Sequence, residues 1–194
     1  MADPDANEGL RVLVVDDERE VADAYALRLR GFCGVETAYG GQAALSKVED
    51  EEIDVVLLDR HMPGLSGDEV LAELTDREYD GRVVMVTAVD PDFDVLELPF
   101  DDYLCKPVER EDLRAAIDQQ RQILAYETLG AYFSAESKRA VIDAQVSDHR
   151  RDDHDGYADV VDRADRLRNR ARRLLDDETT LDRFEEIGRE ESLR

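Results

Sequence analysis

The sequence predicts a doubly wound parallel α/β sheet followed by an all-α region, and three observations carry that prediction. Short Val- and Leu-rich runs, among them Arg11–Val15, Val55–Leu58 and Arg82–Val86, are separated by helix-length polar stretches. Buried parallel strands joined by crossover helices have this pattern. Each run ends on a residue able to handle a phosphoryl group or its metal: Asp16-Asp17, Asp59, Thr87, and Lys106 after Tyr103-Leu-Cys105. From Glu111 onward strand signals vanish and apolar residues recur at threes and fours, as helices require.

The elements follow in order. Residues 1 to about 9 read as a disordered lead-in. The first helix is expected from Glu18 to Arg30, with Val21, Tyr25 and Leu29 on one stripe and Gly31 as its stop. A short strand around Val35–Ala38 and a weakly apolar helix over Gly41–Val48 come next. After the third strand, Pro63-Gly64-Leu65-Ser66-Gly67 makes a turn into a helix over Asp68–Leu74. The stretch Asp90–Pro99 is bracketed by Pro91 and Pro99 and has room for little more than two helical turns. The helical region carries Leu113, Ile117, Ile123, Leu124, Leu129, Tyr132, Phe133, Val141 and Ala144, and Gly130 inside it marks a kink or a junction. A polar break, Ser147–Gly156, precedes a second seam of Tyr157, Val160, Ala164, Leu167, Ala171 and Leu174. Leu181, Phe184 and Ile187 suit a short third helix. Together these make a helical hairpin or small bundle, one that can dimerise.

Composition narrows the function. Apolar content of 42% suffices for a packed core. No run approaches the roughly 18 apolar residues of a membrane span, and the acidic start is unlike a secretory signal, so a cytoplasmic protein is expected. Cys33 and Cys105 fall at opposite edges of the sheet, too far apart to pair, and are expected to be buried thiols. The net charge of −24, with Lys only at positions 47, 106 and 138, suits a very salty cytosol and opposes a broad nucleic-acid footprint.

In an open α/β sheet the ligand site lies beyond the carboxyl ends of the strands. Acidic pairs are frequent in this chain, but only Asp16-Asp17 directly follows a strand, with Asp59 at the end of another. Carboxylates gathered there repel unless a cation joins them. Mg²⁺ suits such a set, because it takes a few oxygen ligands and keeps several waters. Asp59 is then a candidate nucleophile forming an acyl phosphate, Lys106 the ammonium that offsets phosphoryl charge, and Thr87 a hydroxyl donor to a phosphoryl oxygen. His149 and His154 lack further ligands at metal spacing and read as loop residues.

Val14-Val-Asp-Asp-Glu18, Leu57-Leu-Asp-Arg-His-Met-Pro-Gly64, Val86-Thr-Ala88 and Asp102-Tyr-Leu-Cys-Lys-Pro107 together resemble the receiver domain of two-component response regulators. The resemblance covers residues 10 to about 120 and implies a five-stranded flavodoxin-like sheet of order 2-1-3-4-5. It implies that Asp59 is the phosphoacceptor and that a sensor histidine kinase is the donor. Asp17 would be a direct Mg²⁺ ligand, Asp16 would act mostly through water, and His61 would lend its backbone carbonyl. Thr87 and Tyr103 would form the switch pair, and Lys106 would bind phosphate, with a cis peptide to Pro107. The side chain of His61, two positions after the phosphoacceptor, would tune hydrolysis of the acyl phosphate. Residues 121–194 resemble the HalX domain that follows receivers in halophilic archaea, most clearly at Glu127-Thr-Leu-Gly-Ala-Tyr-Phe133 and Lys138-Arg-Ala140.

The chain departs from the receiver pattern between Thr87 and Lys106, where the fourth helix is curtailed. An aspartate-nucleophile phosphohydrolase of the haloacid-dehalogenase kind is the competing enzyme reading. That class needs an acid two residues after the nucleophile, where this chain has His61. A receiver that has become a constitutive interaction module is opposed by the complete Asp16, Asp17, Asp59, Thr87, Lys106 set. For the helical region, self-association or protein binding competes with DNA binding through Arg163, Arg166, Arg168, Arg170, Arg172 and Arg173. Pairing of those arginines with nearby Asp on a solvated helix is the plainer reading.

Overall fold

The computed structural model describes residues 9–88, 91, 93–152 and 154–175. Five strands, β1 (Arg11–Val15), β2 (Gly34–Ala38), β3 (Val55–Leu58), β4 (Arg82–Thr87) and β5 (Asp102–Cys105), form one parallel sheet in the order β2-β1-β3-β4-β5. The doubly wound topology read from the sequence is the observed one. Helices α1 (Arg19–Leu29), α2 (Gly41–Asp50), α3 (Gly67–Asp76) and the start of α4 (Arg110–Gln145) connect or follow the strands. The chain divides into two compact units, Met1–Arg121 and Gln122–Arg194, and the division falls inside α4.

Central strands explain the apolar runs. All four residues of β3 are buried, so Val and Leu occupy both faces of the strand. Leu13, Val56, Leu58 and Met85 on one face pack with Leu45 of α2 and Val70, Leu71 and Leu74 of α3. At the opposite end of β3, the fully buried Asp54 accepts a hydrogen bond from the Arg11 N–H at 3.0 Å. That bond ties the start of β1 to the start of β3.

Helix ends depart from the sequence reading by a residue or two, where caps decide them. The α3 N-terminus is a capping box: the Ser66 side chain accepts from the Glu69 N–H while Glu69 accepts from the Ser66 N–H. Such a box contributes about 1 kcal/mol. Between Pro91 and Pro99 the described residues form a 3-10 helix, Phe93–Glu97, leaving Phe93 and Leu96 exposed.

The cysteines differ from expectation. Both are free, but neither is a fully buried thiol: Cys33 is half-buried and Cys105 is exposed. Cys105 ends an edge strand whose burial falls away toward that end, which the apolar run Tyr103-Leu-Cys105 conceals. Burial pushes the Cys33 thiol up to about 12, against a smaller opposing pull from Arg114. A thiol reagent at neutral pH is expected to modify Cys105 at least about tenfold faster than Cys33. Peptide mapping after brief labelling checks this; modification of Cys33 first would contradict it.

In the second unit, α4 runs as one helix through Gly130, where a Cβ would meet nothing, so the expected junction between two helices is absent. A glycine inside a helix costs only about 1 kcal/mol, which the flanking turns supply. Leu129, Tyr132 and Ala135 of α4 pack with Ala164 and Ala171 of α6 (Asp155–Leu174). The second seam is therefore real, whereas Val141 and Ala144 are exposed and lie outside the packed region. The polar break holds a five-residue helix, α5 (Asp148–Asp152). Asp143 anchors it through an ion pair with Arg151, and it accepts from the Tyr157 hydroxyl at 2.6 Å. Of the basic cluster, Arg168, Arg170 and Arg173 already have partners. The proposed third helix at Leu181–Ile187 and the lead-in at 1–8 lie outside the described residues. Among the described residues no helix is long and apolar enough to cross a membrane.

Candidate functional site

Sheet hydrogen bonding continues one residue past the strands and sets the backbone of the site. The Asp16 N–H donates to the Ala38 carbonyl at 3.2 Å, the Asp59 N–H to Val15 at 3.0 Å, and the Lys106 N–H to Thr87 at 2.8 Å. Three chain segments thus deliver Asp16, Asp59 and Lys106 to the same sheet edge. The Lys106–Pro107 peptide is cis.

The side chains meet. Lys106 Nζ donates to Asp16 Oδ2 at 2.6 Å and to Asp59 Oδ1 at 2.9 Å. Asp16 is 3% and Asp59 7% exposed, so the ammonium bridges two carboxylates largely out of water. Each carboxylate spends its other oxygen on local backbone: Asp16 Oδ1 accepts from the Glu18 N–H at 2.9 Å, and Asp59 Oδ2 from the His61 N–H at 3.1 Å. Thr87 is buried at the end of β4, next to β5 in the sheet. Asp17 is half-buried directly after Asp16.

Burial by itself would lower the Lys106 pKa; hydrogen bonds and charge from Asp16 and Asp59 outweigh it and hold the ammonium above its ordinary range. With the folded pKa raised, the linkage sign is fixed. This bridge stabilises the fold fully below the unfolded lysine pKa, and its contribution is lost only as pH rises through the raised value. The site is therefore expected to keep its bridge throughout the neutral range.

Two carboxylates sharing one ammonium leave an excess of negative charge, and Asp17 stands alongside in sequence. Among the described residues no three His, Cys, Asp or Glu side chains converge as a metal cage. Asp16, Asp17 and Asp59 thus do not assemble a ready-made three-carboxylate centre. The donors that remain, a small number of carboxylates with main-chain oxygen and water, are the kind that Mg²⁺ accepts.

Of the other residues singled out in sequence, His61 has an exposed side chain, and its main-chain N–H is the group that contacts Asp59. Tyr103 is half-buried, its ring 5.5 Å from that of Phe100 and packed on the sheet core. Sequence reasoning missed the pairing of Arg60 with Asp68, a fork between the residue after Asp59 and the first turn of α3. The capping box that fixes α3 did have a readable signature, Ser66-Gly-Asp-Glu69.

The sequence model of the response regulator receiver domain matches residues 12–118, and that of the HalX domain residues 122–188. A Haloferax volcanii protein named as a transcriptional regulator is 45% identical over 136 residues, covering 69% of this chain and 23% of its own length. The transcriptional regulatory protein CutR of Streptomyces coelicolor is 40% identical over 112 residues, covering 56% of this chain and 52% of its own. The chain thus spans about a quarter and about half the length of these two relatives. Among solved structures, the Thermotoga maritima response regulator TrrA, in complex with Mg²⁺ and beryllofluoride, superposes with a TM-score of 0.53 at 30% identity, covering 57% of this chain and 98% of that one. With the fold, the site and the matched segment in agreement, the chain belongs to the response regulator receiver family and carries a HalX domain after its receiver.

Proposed function

We propose that the chain is a phosphorylation-controlled switch working in the cytoplasm, in which Asp59 accepts a phosphoryl group from the phosphohistidine of a sensor histidine kinase. The observation that carries this reading is the Lys106 ammonium held between the buried carboxylates of Asp16 and Asp59. A carboxylate oxygen of Asp59 forms the new P–O bond as the P–N bond of the donor breaks and its electron pair returns to the imidazole. Asp17, Asp59 and the His61 carbonyl would hold Mg²⁺, with Asp16 acting through water; the cation would neutralise charge on the phosphoryl oxygens.

The protein's own groups do the rest. Lys106 exchanges its contact with Asp59 Oδ1 for a phosphoryl oxygen, while Asp16 keeps the ammonium aimed at the site. Thr87 donates its hydroxyl to a second phosphoryl oxygen, and Tyr103, one strand away, follows. The phosphorylated and free forms then differ in contacts, as any ligand-driven shift requires. Beyond accepting phosphate and slowly hydrolysing the acyl phosphate, the domain catalyses nothing. Its output is control of the helical region, and the names of the relatives support a role in transcription. Engagement of Arg168, Arg170 and Arg173 within the chain leaves half of the α6 cluster for direct DNA contact, and protein association or dimerisation is the output we favour.

Incubation of the full chain in molar KCl with a small phosphodonor tests the reading. Mass spectrometry is expected to show one phosphoryl group per chain with Mg²⁺ and none with a chelator; no uptake in either condition would overturn it. Lys106→Ala is expected to accept phosphate roughly 10²-fold more slowly, because it removes one preorganised charge. Its amide spectrum should change far less on phosphorylation than that of the wild type. Normal switching in that variant would remove Lys106 from the mechanism.

A further inference from the structure

The segment joining β3 to α3 is closed by more contacts than a surface loop needs. The Gly67 N–H donates to the Arg60 carbonyl at 2.9 Å. A Cβ on Gly67 would lie 2.2 Å from the Asp59 carbonyl oxygen, so the two ends of the loop meet backbone to backbone. Between them Met62 is buried in the core, and Leu65 packs against it.

The remaining tie is a guanidinium fork. Arg60 Nε donates to Asp68 Oδ1 at 3.1 Å and to Oδ2 at 3.2 Å, and Arg60 Nη2 donates to Oδ2 at 3.1 Å. The Arg60 side chain is 12% exposed and that of Asp68 37%, which separates this pair from a solvated surface ion pair of negligible effect. A bidentate fork also fixes direction, because guanidinium and carboxylate planes must align. Asp68 sits in the first turn of α3, where a negative charge faces the positive end of the helix dipole.

Arg60 stands between Asp59 and His61. Asp59 is held from the sheet side by its ladder bond to Val15, and the His61 N–H donates to Asp59 Oδ2 at 3.1 Å. Mooring the Arg60 side chain to α3 leaves the peptides on either side of it little freedom to rotate. We infer that the Arg60–Asp68 fork is a positioning device for the phosphoryl site: it fixes the main chain of His61 against Asp59 and thereby sets the affinity for the divalent cation. This rests on the reading that Asp59 is the phosphoacceptor and that the His61 carbonyl is a Mg²⁺ ligand.

The test uses the full unphosphorylated chain and the variants Arg60→Met, Asp68→Asn and the double substitution. Mg²⁺ is titrated while amide shifts are followed, and hydrogen exchange at His61 and thermal midpoints are measured without metal. Each single variant is expected to bind Mg²⁺ about tenfold more weakly, the usual scale for losing a group that orients a ligand. Exchange at the His61 amide should quicken about tenfold as the loop loosens. The double variant should be no worse than either single one, because one interaction is lost in all three. Arg60→Lys, a point charge without a fork, should fall between wild type and Arg60→Met. Metal-free midpoints should fall modestly, as loss of a partly buried fork requires, with every variant still fully folded at the temperature of the titration. Unchanged Mg²⁺ affinity and His61 exchange in both single variants would overturn the inference, as would losses explained by reduced metal-free stability. A wild type that neither binds Mg²⁺ nor accepts phosphate at Asp59 would instead overturn the underlying assignment.

Discussion

Asp59→Asn is expected to take up no phosphoryl group from any small donor, yet to fold as well as the wild type or better. Loss of uptake follows from chemistry, since a neutral amide has no anionic oxygen to attack phosphorus. The stability result follows from the bridge. Removing one partner of a buried ion pair normally costs about 3–5 kcal/mol, because the other charge is left unpaired. Here Lys106 keeps Asp16 at 2.6 Å, so the substitution leaves one ammonium with one carboxylate. The repulsion between the two carboxylates is relieved as well. The balance is a gain of about 1 kcal/mol or no change. Denaturant titration checks the stability and mass spectrometry the uptake. A strongly destabilised variant would mean that Asp59 is chiefly structural.

Gly67→Ala is expected to damage both stability and phosphoryl uptake. The added methyl would sit 2.2 Å from the Asp59 carbonyl oxygen and 2.8 Å from the Arg60 Cα, both backbone atoms without a flexible side chain to yield. Overpacking of this kind costs about 1–3 kcal/mol, and backbone neighbours put it at the upper end. The strain falls on the residue that carries the nucleophile, so uptake should fall well beyond what the unfolded fraction explains. A denaturant midpoint within error of the wild type would contradict this packing. Gly64→Ala is the informative comparison. It meets no atom within 4 Å but has φ of +81°, so its cost is conformational and comes without a clash against the Asp59 backbone.

Much of the sheet was legible because parallel strands buried on both faces must be almost wholly apolar, and β3 and β4 are. The candidate site was legible because the residues now around Lys106 each follow such a run, so strand ends alone marked them. What escaped had no such marker. Arg60 and Asp68 lie across a turn, in a chain rich in both residue types, and no periodicity joins them. Gly130 looked like a break, but one glycine cannot outweigh the flanking turns of a long helix. Val141 and Ala144 kept helical spacing without a partner surface, which spacing cannot reveal. Cys105 was misjudged because apolar character was taken for burial at the exposed end of an edge strand.

In the proposed switch one carboxylate, that of Asp59, supplies the oxygen that bonds phosphorus. Reductive trapping of the acyl phosphate in the wild-type chain, followed by peptide mass mapping, tests that role without any substitution. Modification confined to the peptide bearing Asp59, and absent when Mg²⁺ is chelated, is the result expected. A trapped label on Asp16, Asp17 or any residue outside this sheet edge would contradict it.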